Sequence, residues 1–377
     1  MSTGITALNE GQSDIQNVVR SFALHGDFVS VTAYGSGHIN STFVVAMNQA
    51  GVTIRYIIQR INDRIFKDPV ALMENVSRVT GEAADRLRSE GIPDASRRTL
   101  TVVPTWGGEG LLRTPEGEFW RCYLFIEGAK TYDMIETPAQ ALAASRAFGE
   151  FQKLVSGLRG PRLHETITGF HDTRARFARL SEVAGADPLG RLAGASAEWD
   201  FARAHEDITG VLLDLQASGG IPERVTHNDT KLNNVMMDEA SGEGVCVVDL
   251  DTVMPGLALY DFGDMVRTAT SPAAEDERDL SKVGMMMPMF EALVRGYLSS
   301  TNDMLTEAEC ANLAFSGKLI TLEIGLRFLT DYLEGDVYFK TTRPEHNLDR
   351  CRTQFALVRS IEAQEDAMRR FVDSACL

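Results

Sequence analysis

The sequence predicts an α+β protein of two lobes, a small antiparallel β-sheet lobe over residues 1–126 and a larger, mainly helical lobe over residues 127–377. Three observations predict it. Short β-rich runs crowd the chain up to about Ile126. Apolar residues at helical spacing dominate from Thr137 onward. The few strand-like runs in that helical half flank one polar string, His227-Asn228-Asp229-Thr230-Lys231-Leu232-Asn233-Asn234.

Taken in order, Ile15, Val18, Val19 and Phe22 recur at helical spacing, so a helix runs from about Asp14 to Leu24. Val29 to Tyr34 and Ser41 to Met47 read as a hairpin around the turn Gly35-Ser36-Gly37-His38, and Thr53 to Ile61 as a third strand. Asp68-Pro69 pairs an N-cap acid with a proline at the first helical position and opens a helix to about Ser89. Leu100 to Pro104, Gly110 to Thr114 and Phe119 to Ile126 supply further strands, and Thr137-Pro138 opens a long helix to about Val155. Val235 to Met237 and Val245 to Val248 form a hairpin around Ser241-Gly242 and Gly244.

Composition narrows the function. With 44% hydrophobic and 24% charged residues, the 377-residue chain is ordinary globular protein. A net charge of -16 repels nucleic acid and anionic membrane, so neither is expected as a partner, and an anionic ligand needs a locally basic pocket. The five cysteines show no C-x-x-C spacing, which points to neither zinc nor a disulfide scaffold, and Cys122 and Cys246 sit in apolar runs as small core residues. No apolar run is long enough to span a bilayer, and a cytoplasmic location is expected.

The polar string carries the chemistry. It reads H-x-D-x-K-x-x-N, and the following strand ends in Asp249-Leu250-Asp251. That order matches the catalytic loop and metal strand of kinase-like phosphotransferases, and with the β-then-α order it predicts a protein-kinase-like fold. Phosphoryl transfer needs a carboxylate to accept the proton of the attacking hydroxyl, which Asp229 fits. It needs oxygen donors for magnesium on the triphosphate of ATP, which Asn234 and Asp249 fit, and a cation for the moving phosphoryl group, which Lys231 fits. His227 would be buried and brace the loop. Asp251 shares a strand face with Asp249, either as a second metal ligand or as a strand-end acid in solvent. A literal Asp261-Phe262-Gly263 lies downstream, but it begins a helix, and Asp261 is read instead as holding the catalytic loop through backbone N–H groups.

Other candidates lie far from the string. Gly35 and Gly37 allow backbone N–H groups to approach phosphate. His38 beside them fits a phosphate donor, a sugar donor or a turn cap. Protein kinases place a lysine on the third strand, whereas Gln59 stands here. Either Gln59 binds phosphate as a neutral donor, or a shifted strand brings in an arginine, with Arg60 adjacent. Phe125 to Gly128, including Glu127, fits either a hinge whose backbone meets adenine or an ordinary strand end. Glu323, Arg327 and Asp331 share a helix face, either as a surface ion-pair ladder or, with Tyr332, Tyr338 and Phe339, as part of a sugar pocket.

The strings YGSGHINSTF, VTHNDTKLNNVMMD, VVDLDTVMPGLALYDFGDMVR and LRFLTDYLEGDVYF resemble the aminoglycoside phosphotransferase and choline kinase superfamily, and within it the N-acetylhexosamine 1-kinases, over nearly the whole chain. The resemblance implies transfer of the γ-phosphate of ATP, with magnesium, to the anomeric hydroxyl of N-acetylglucosamine or N-acetylgalactosamine. It implies Asp229 as base, Asn234 and Asp249 as metal ligands, and His38, Arg327 and Tyr338 as sugar-binding residues. Thr268 departs from a phenylalanine of those kinases and leaves the hexosamine preference open. Two further readings stay open on the residues: a kinase of another sugar, an amino alcohol or an aminoglycoside, and, because of Gln59, a nucleotide-binding pseudokinase.

Overall fold

A computed structural model describes residues 15–35 and 39–376. The chain divides into two compact units, one of residues 1–129, 157–167 and 245–253, the other of residues 130–156, 168–244 and 254–377. The fold is the expected antiparallel sheet followed by a helical region, of the protein-kinase-like class.

In the sheet unit a first helix, α1 (residues 15–21), leads into β1 (Asp27–Ala33), β2 (Ser41–Gln49) and β3 (Val52–Ile61). Helix α2 (Pro69–Ser89) follows, capped by the Asp68 carboxylate, which accepts from the N–H groups of Val70 and Ala71. A short α3 (Ala95–Arg98), then β4 (Leu112–Arg113) and β5 (Phe119–Leu124), complete a five-stranded antiparallel sheet of order β1-β2-β3-β5-β4. The predicted strand at Leu100 to Pro104 does not form. Only a single bridge joins Val102 to Tyr123, because the segment pairs briefly with β5 before Pro104. Alternation along β3 and β5 sends Tyr56, Ile58, Trp120 and Cys122 into a core with Val19, Phe22 and Val45. The other face carries Gln59 and Arg121, which are partners in the β3–β5 register.

The chain then runs through β6 (Ala129–Lys130) to α4 (Pro138–Val155), which starts at Thr137-Pro138 as expected and where Thr137 and Gln140 close a capping box. Helices α5 (Thr173–Ala186), α6 (Ser196–Ala204) and α7 (Val211–Ala217) precede β7 (Arg224–Thr226), β8 (Val235–Asp238) and β9 (Gly244–Val247). After β10 (Met254–Gly256), which pairs with β7, come α8 (Ala258–Ala269), α9 (Met287–Thr301), α10 (Glu307–Glu334), α11 (His346–Glu362) and α12 (Glu365–Ala375). Helix α10 is buried along most of its length, so its Glu323 and Asp331 face protein rather than water. Gly263 allows α8 to lie against it, since a Cβ there would stand 2.5 Å from the Ser316 carbonyl.

Candidate active site

The polar string forms the loop between β7 and β8. Its first anchor is Asp261, on the first turn of α8, whose two oxygens accept from the N–H groups of His227 (2.9 Å) and Asn228 (2.7 Å). The carbonyl of Asp261 accepts from the Thr230 hydroxyl at 2.6 Å. These bonds agree with the loop-holding role read from the sequence. Phe262 meets Phe290 and Tyr297 in the core and Gly263 admits α10, so the literal D-F-G is a packing device of the helical unit. His227 is fully buried against Phe148 and Phe151, and its Nδ1 accepts from the Asp229 N–H at 3.3 Å.

Burial drives the Asp261 carboxyl up to about 6, against the lowering pull of His227 and the two N–H bonds. The folded protein therefore holds a proton at pH values where the unfolded chain has lost it, and stability falls as pH rises between about 4 and 6. Loop order runs the other way, because only the ionised carboxylate offers both oxygens as acceptors. Turnover is expected to fall as pH drops through about 6. In Asp261→Asn the amide NH₂ would face a backbone N–H, and turnover is expected to drop by about 10-fold or more, the cost of one unsatisfied buried donor. A pH–rate profile of both proteins checks this.

Asp229, Lys231 and Asn234 converge. The Lys231 ammonium lies 2.9 Å from Asp229 Oδ1, and the Asn234 amide nitrogen donates to the Asp229 carbonyl (2.8 Å) and to its Oδ2 (3.3 Å). Burial raises the Asp229 carboxyl, but the Lys231 cation and its hydrogen bond outweigh it, with His227 and Arg267 behind, and hold it below the usual range. Asp229 is thus an ionised acceptor with about a quarter of its side chain open. Arg267, overlooked in the sequence, is buried and paired with Asp264 at 2.8 Å and Glu275 at 3.2 Å.

The predicted sugar residues Arg327 and Tyr338 also meet. The Arg327 guanidinium lies 5.2 Å from the Phe170 ring, 5.7 Å from Tyr338 and 5.5 Å from Phe339. Asp331 shapes this corner by accepting from the N–H groups of Val337, Tyr338 and Phe339 at 2.9, 2.7 and 2.9 Å. The surface-ladder reading of Glu323, Arg327 and Asp331 is therefore overturned. Glu323 is fully buried on His171 and Thr173, and Asp331 is spent on a turn. Thr268 bonds back to the Asp264 carbonyl within α8.

In the sheet unit Gly35 takes a left-handed φ of 79°, while Gly37 and His38 lie outside the described residues. Gln59 donates to the Thr42 hydroxyl at 2.9 Å and accepts from Arg121 Nε at 3.0 Å. Arg121 is 1% exposed and ion-paired with Asp251. The second oxygen of Asp251 accepts from Asn40 at 2.6 Å, and Asn40 accepts from the Asn62 N–H at 3.0 Å. Neither sequence reading of Asp251 holds, because Asp249 has a φ of 58° and a 3₁₀ turn over Leu250–Thr252 replaces the extended strand. Asp251 is turned inward to an internal cation instead. Burial opposes the charge on Arg121, but Asp251, with Asp249 further off, keeps it firmly cationic. Arg60 pairs with Glu118 at 2.6 Å and is half exposed. Phe125 lies under the Arg55 guanidinium, 3.9 Å from its ring centre. Glu127 pairs with Arg55, and its carbonyl accepts from Arg97 at 3.3 and 3.2 Å.

Because Asn234 commits its nitrogen to Asp229, its carbonyl oxygen is the atom it can offer a cation. Among the described residues no three His, Cys, Asp or Glu side chains cluster as a metal cage. Magnesium on a nucleotide suits such a site, since it takes one or two protein oxygens and completes its shell with phosphate and water. Also among the described residues, no helix is long and apolar enough to cross a membrane.

A sheet-and-helix chain of this class with an H-x-D-x-K-x-x-N loop is a kinase-like phosphotransferase fold. The pattern of the phosphotransferase enzyme family, APH, matches residues 30–291, and the chain belongs to that family. Its fold is similar to an aminoglycoside phosphotransferase from Alicyclobacillus acidocaldarius, at 12% identity and a TM-score of 0.63, covering 95% of this chain and 96% of that one. It is similar to the choline kinase of Cryptosporidium parvum, at 13% identity and a TM-score of 0.53 over 96% and 98% of the two chains. It also resembles a spectinomycin phosphotransferase solved with ADP and spectinomycin, at 11% identity and a TM-score of 0.54 over 94% and 98%.

Proposed function

We propose that this phosphotransferase moves the γ-phosphoryl group of ATP, with magnesium, to the anomeric hydroxyl of N-acetylglucosamine or N-acetylgalactosamine, giving the sugar 1-phosphate and ADP. The observation that carries the acceptor class is the corner of Arg327 among Phe170, Tyr338 and Phe339. Aromatic faces beside a fork of N–H donors suit the apolar faces and hydroxyl or amide edges of a sugar. The long sequence resemblance to hexosamine 1-kinases supports the same reading.

In this reading Asp229 orients the C1 hydroxyl and takes its proton as the oxygen bonds to phosphorus and the β–γ bridging oxygen leaves with ADP. A carboxylate held low suits a loose transition state, in which the proton leaves late and positioning matters most. Lys231, on Asp229, meets the phosphoryl oxygens. By the family resemblance Asn234 and Asp249 would each offer magnesium an oxygen, and the ion would neutralise charge on the triphosphate. Gly35, Gly37 and Gln59 serve the phosphates, Phe125 to Glu127 the adenine, and His38 the sugar. Arg121, the register partner of Gln59, supplies the buried cation that the third strand lacks.

An acceptor panel read by ADP release tests this. The highest kcat/KM is expected with the two N-acetylhexosamines, and a higher value with choline, ethanolamine or an aminoglycoside would contradict it. Arg327→Ala is expected to raise the sugar KM by about 10- to 100-fold, the worth of one or two charged hydrogen bonds, with the ATP KM unchanged.

A further inference from the structure

We infer that His171, held by Glu323, is the positioning residue that fixes the catalytic loop at Asn228 and so aims the Asp229 carboxylate. The inference rests on Asp229 being the base and not on which acceptor is used. Asn228 is a non-glycine residue at a φ of 65°, in the left-handed region, immediately before Asp229. Such a conformation persists only where its surroundings over-determine it. Here they grip both sides of the residue. Its N–H donates to the Asp261 carboxylate at 2.7 Å, and its carbonyl accepts from His171 Nε2 at 3.1 Å. The residue before the base is thus clamped between a buried anion and a buried imidazole.

The charge of that imidazole follows from its partners. Nε2 faces a backbone carbonyl, which only accepts, and Nδ1 faces Glu323 Oε1 at 2.8 Å. The other oxygen of Glu323 accepts from the Thr173 hydroxyl at 2.5 Å, as an ionised carboxylate does. A neutral imidazole carries one N–H and satisfies one acceptor, whereas the imidazolium satisfies both. The groups facing it agree. Glu323 comes from α10, Asp261, Asp264 and the Tyr260 ring come from α8, and Arg327 stands beyond Glu323. Burial alone would lower the His171 pKa, but Glu323, the Asn228 carbonyl and Asp264 raise it above 6.5. Its folding contribution is therefore present below 6.5 and is lost as pH rises through the raised value. Glu323 and Arg327 lie one helical turn apart on α10, so the same helix carries the clamp on the base and a residue of the proposed acceptor corner.

Two measurements decide it. Histidine-ring nitrogen NMR over a pH series, with the His171 signals assigned by their loss in His171→Gln, is expected to show both ring nitrogens mainly protonated at pH 6.5; a single protonated nitrogen there overturns the inference. His171→Gln alone leaves Glu323 as an unpaired buried charge, so the Glu323→Gln/His171→Gln pair is measured beside it. That double variant is expected to lose kcat by about 10²-fold, the cost of a misplaced reacting group, with the ATP KM within twofold of the parent. An unchanged kcat overturns the inference when Asp229→Asn is inactive. If Asp229→Asn is itself active, the reading of the base has failed instead.

Discussion

Asp229→Asn is expected to lower kcat by about 10²- to 10⁴-fold, the usual worth of a positioned general base, while ATP still binds. The substitution keeps the shape of the side chain, so Lys231 and Asn234 retain a partner of similar size. What it removes is the anion. The amide cannot take the hydroxyl proton, and one of its two positions now donates where the carboxylate accepted. The effect therefore falls on kcat and kcat/KM together, the signature of an interaction made in the transition state. Turnover within a few-fold of the parent would remove Asp229 as the base.

The second large effect is expected on stability. Arg121 and Asp251 form an ion pair in which both side chains are almost wholly buried, at 1% and 4% exposure. Arg121→Met strands the Asp251 carboxylate and is expected to cost about 3–5 kcal/mol, read as a fall in the denaturant midpoint. Replacing both partners with apolar residues, as in Arg121→Met/Asp251→Leu, is expected to recover much of that loss. Activity is expected to stay low in the double variant. The pair does more than fill space, because Asn40 after the glycine turn bonds to Asp251, and Gln59 and Thr42 continue the chain of bonds from Arg121. Losing the pair frees the segment that carries Asp249. A double variant both stable and fully active would show that the network is only structural.

Local chemistry made some of this legible in the sequence. Asp68-Pro69 and Thr137-Pro138 start helices where expected, because an N-cap and a proline at the first helical position act within one turn. The loop string was legible because its residues bond to near neighbours, Asn234 to Asp229 five residues away. Asp261 could be read as holding the loop because it begins a helix, where its carboxylate meets the backbone N–H groups of His227 and Asn228.

Residues that act over long separations were not legible. Arg121 meets Asp251 across 130 positions, and His171 meets Glu323 across 152. Helical spacing put Glu323, Arg327 and Asp331 on one face, but spacing says nothing about what that face meets. On a surface helix it would be water, and on the largely buried α10 it is protein. The pairing of Asp249 with Asp251 assumed an extended strand. The left-handed turn at Asp249 breaks that period and sends Asp251 inward.

Transfer from ATP to an anomeric oxygen is read straight from phosphorus NMR of the product. With ATP, magnesium and N-acetylglucosamine or N-acetylgalactosamine, a new phosphate-ester signal is expected, split by coupling to the anomeric proton and absent with Asp229→Asn. A signal coupled instead to ring or C6 protons, or unconsumed ATP with both sugars, would contradict the account.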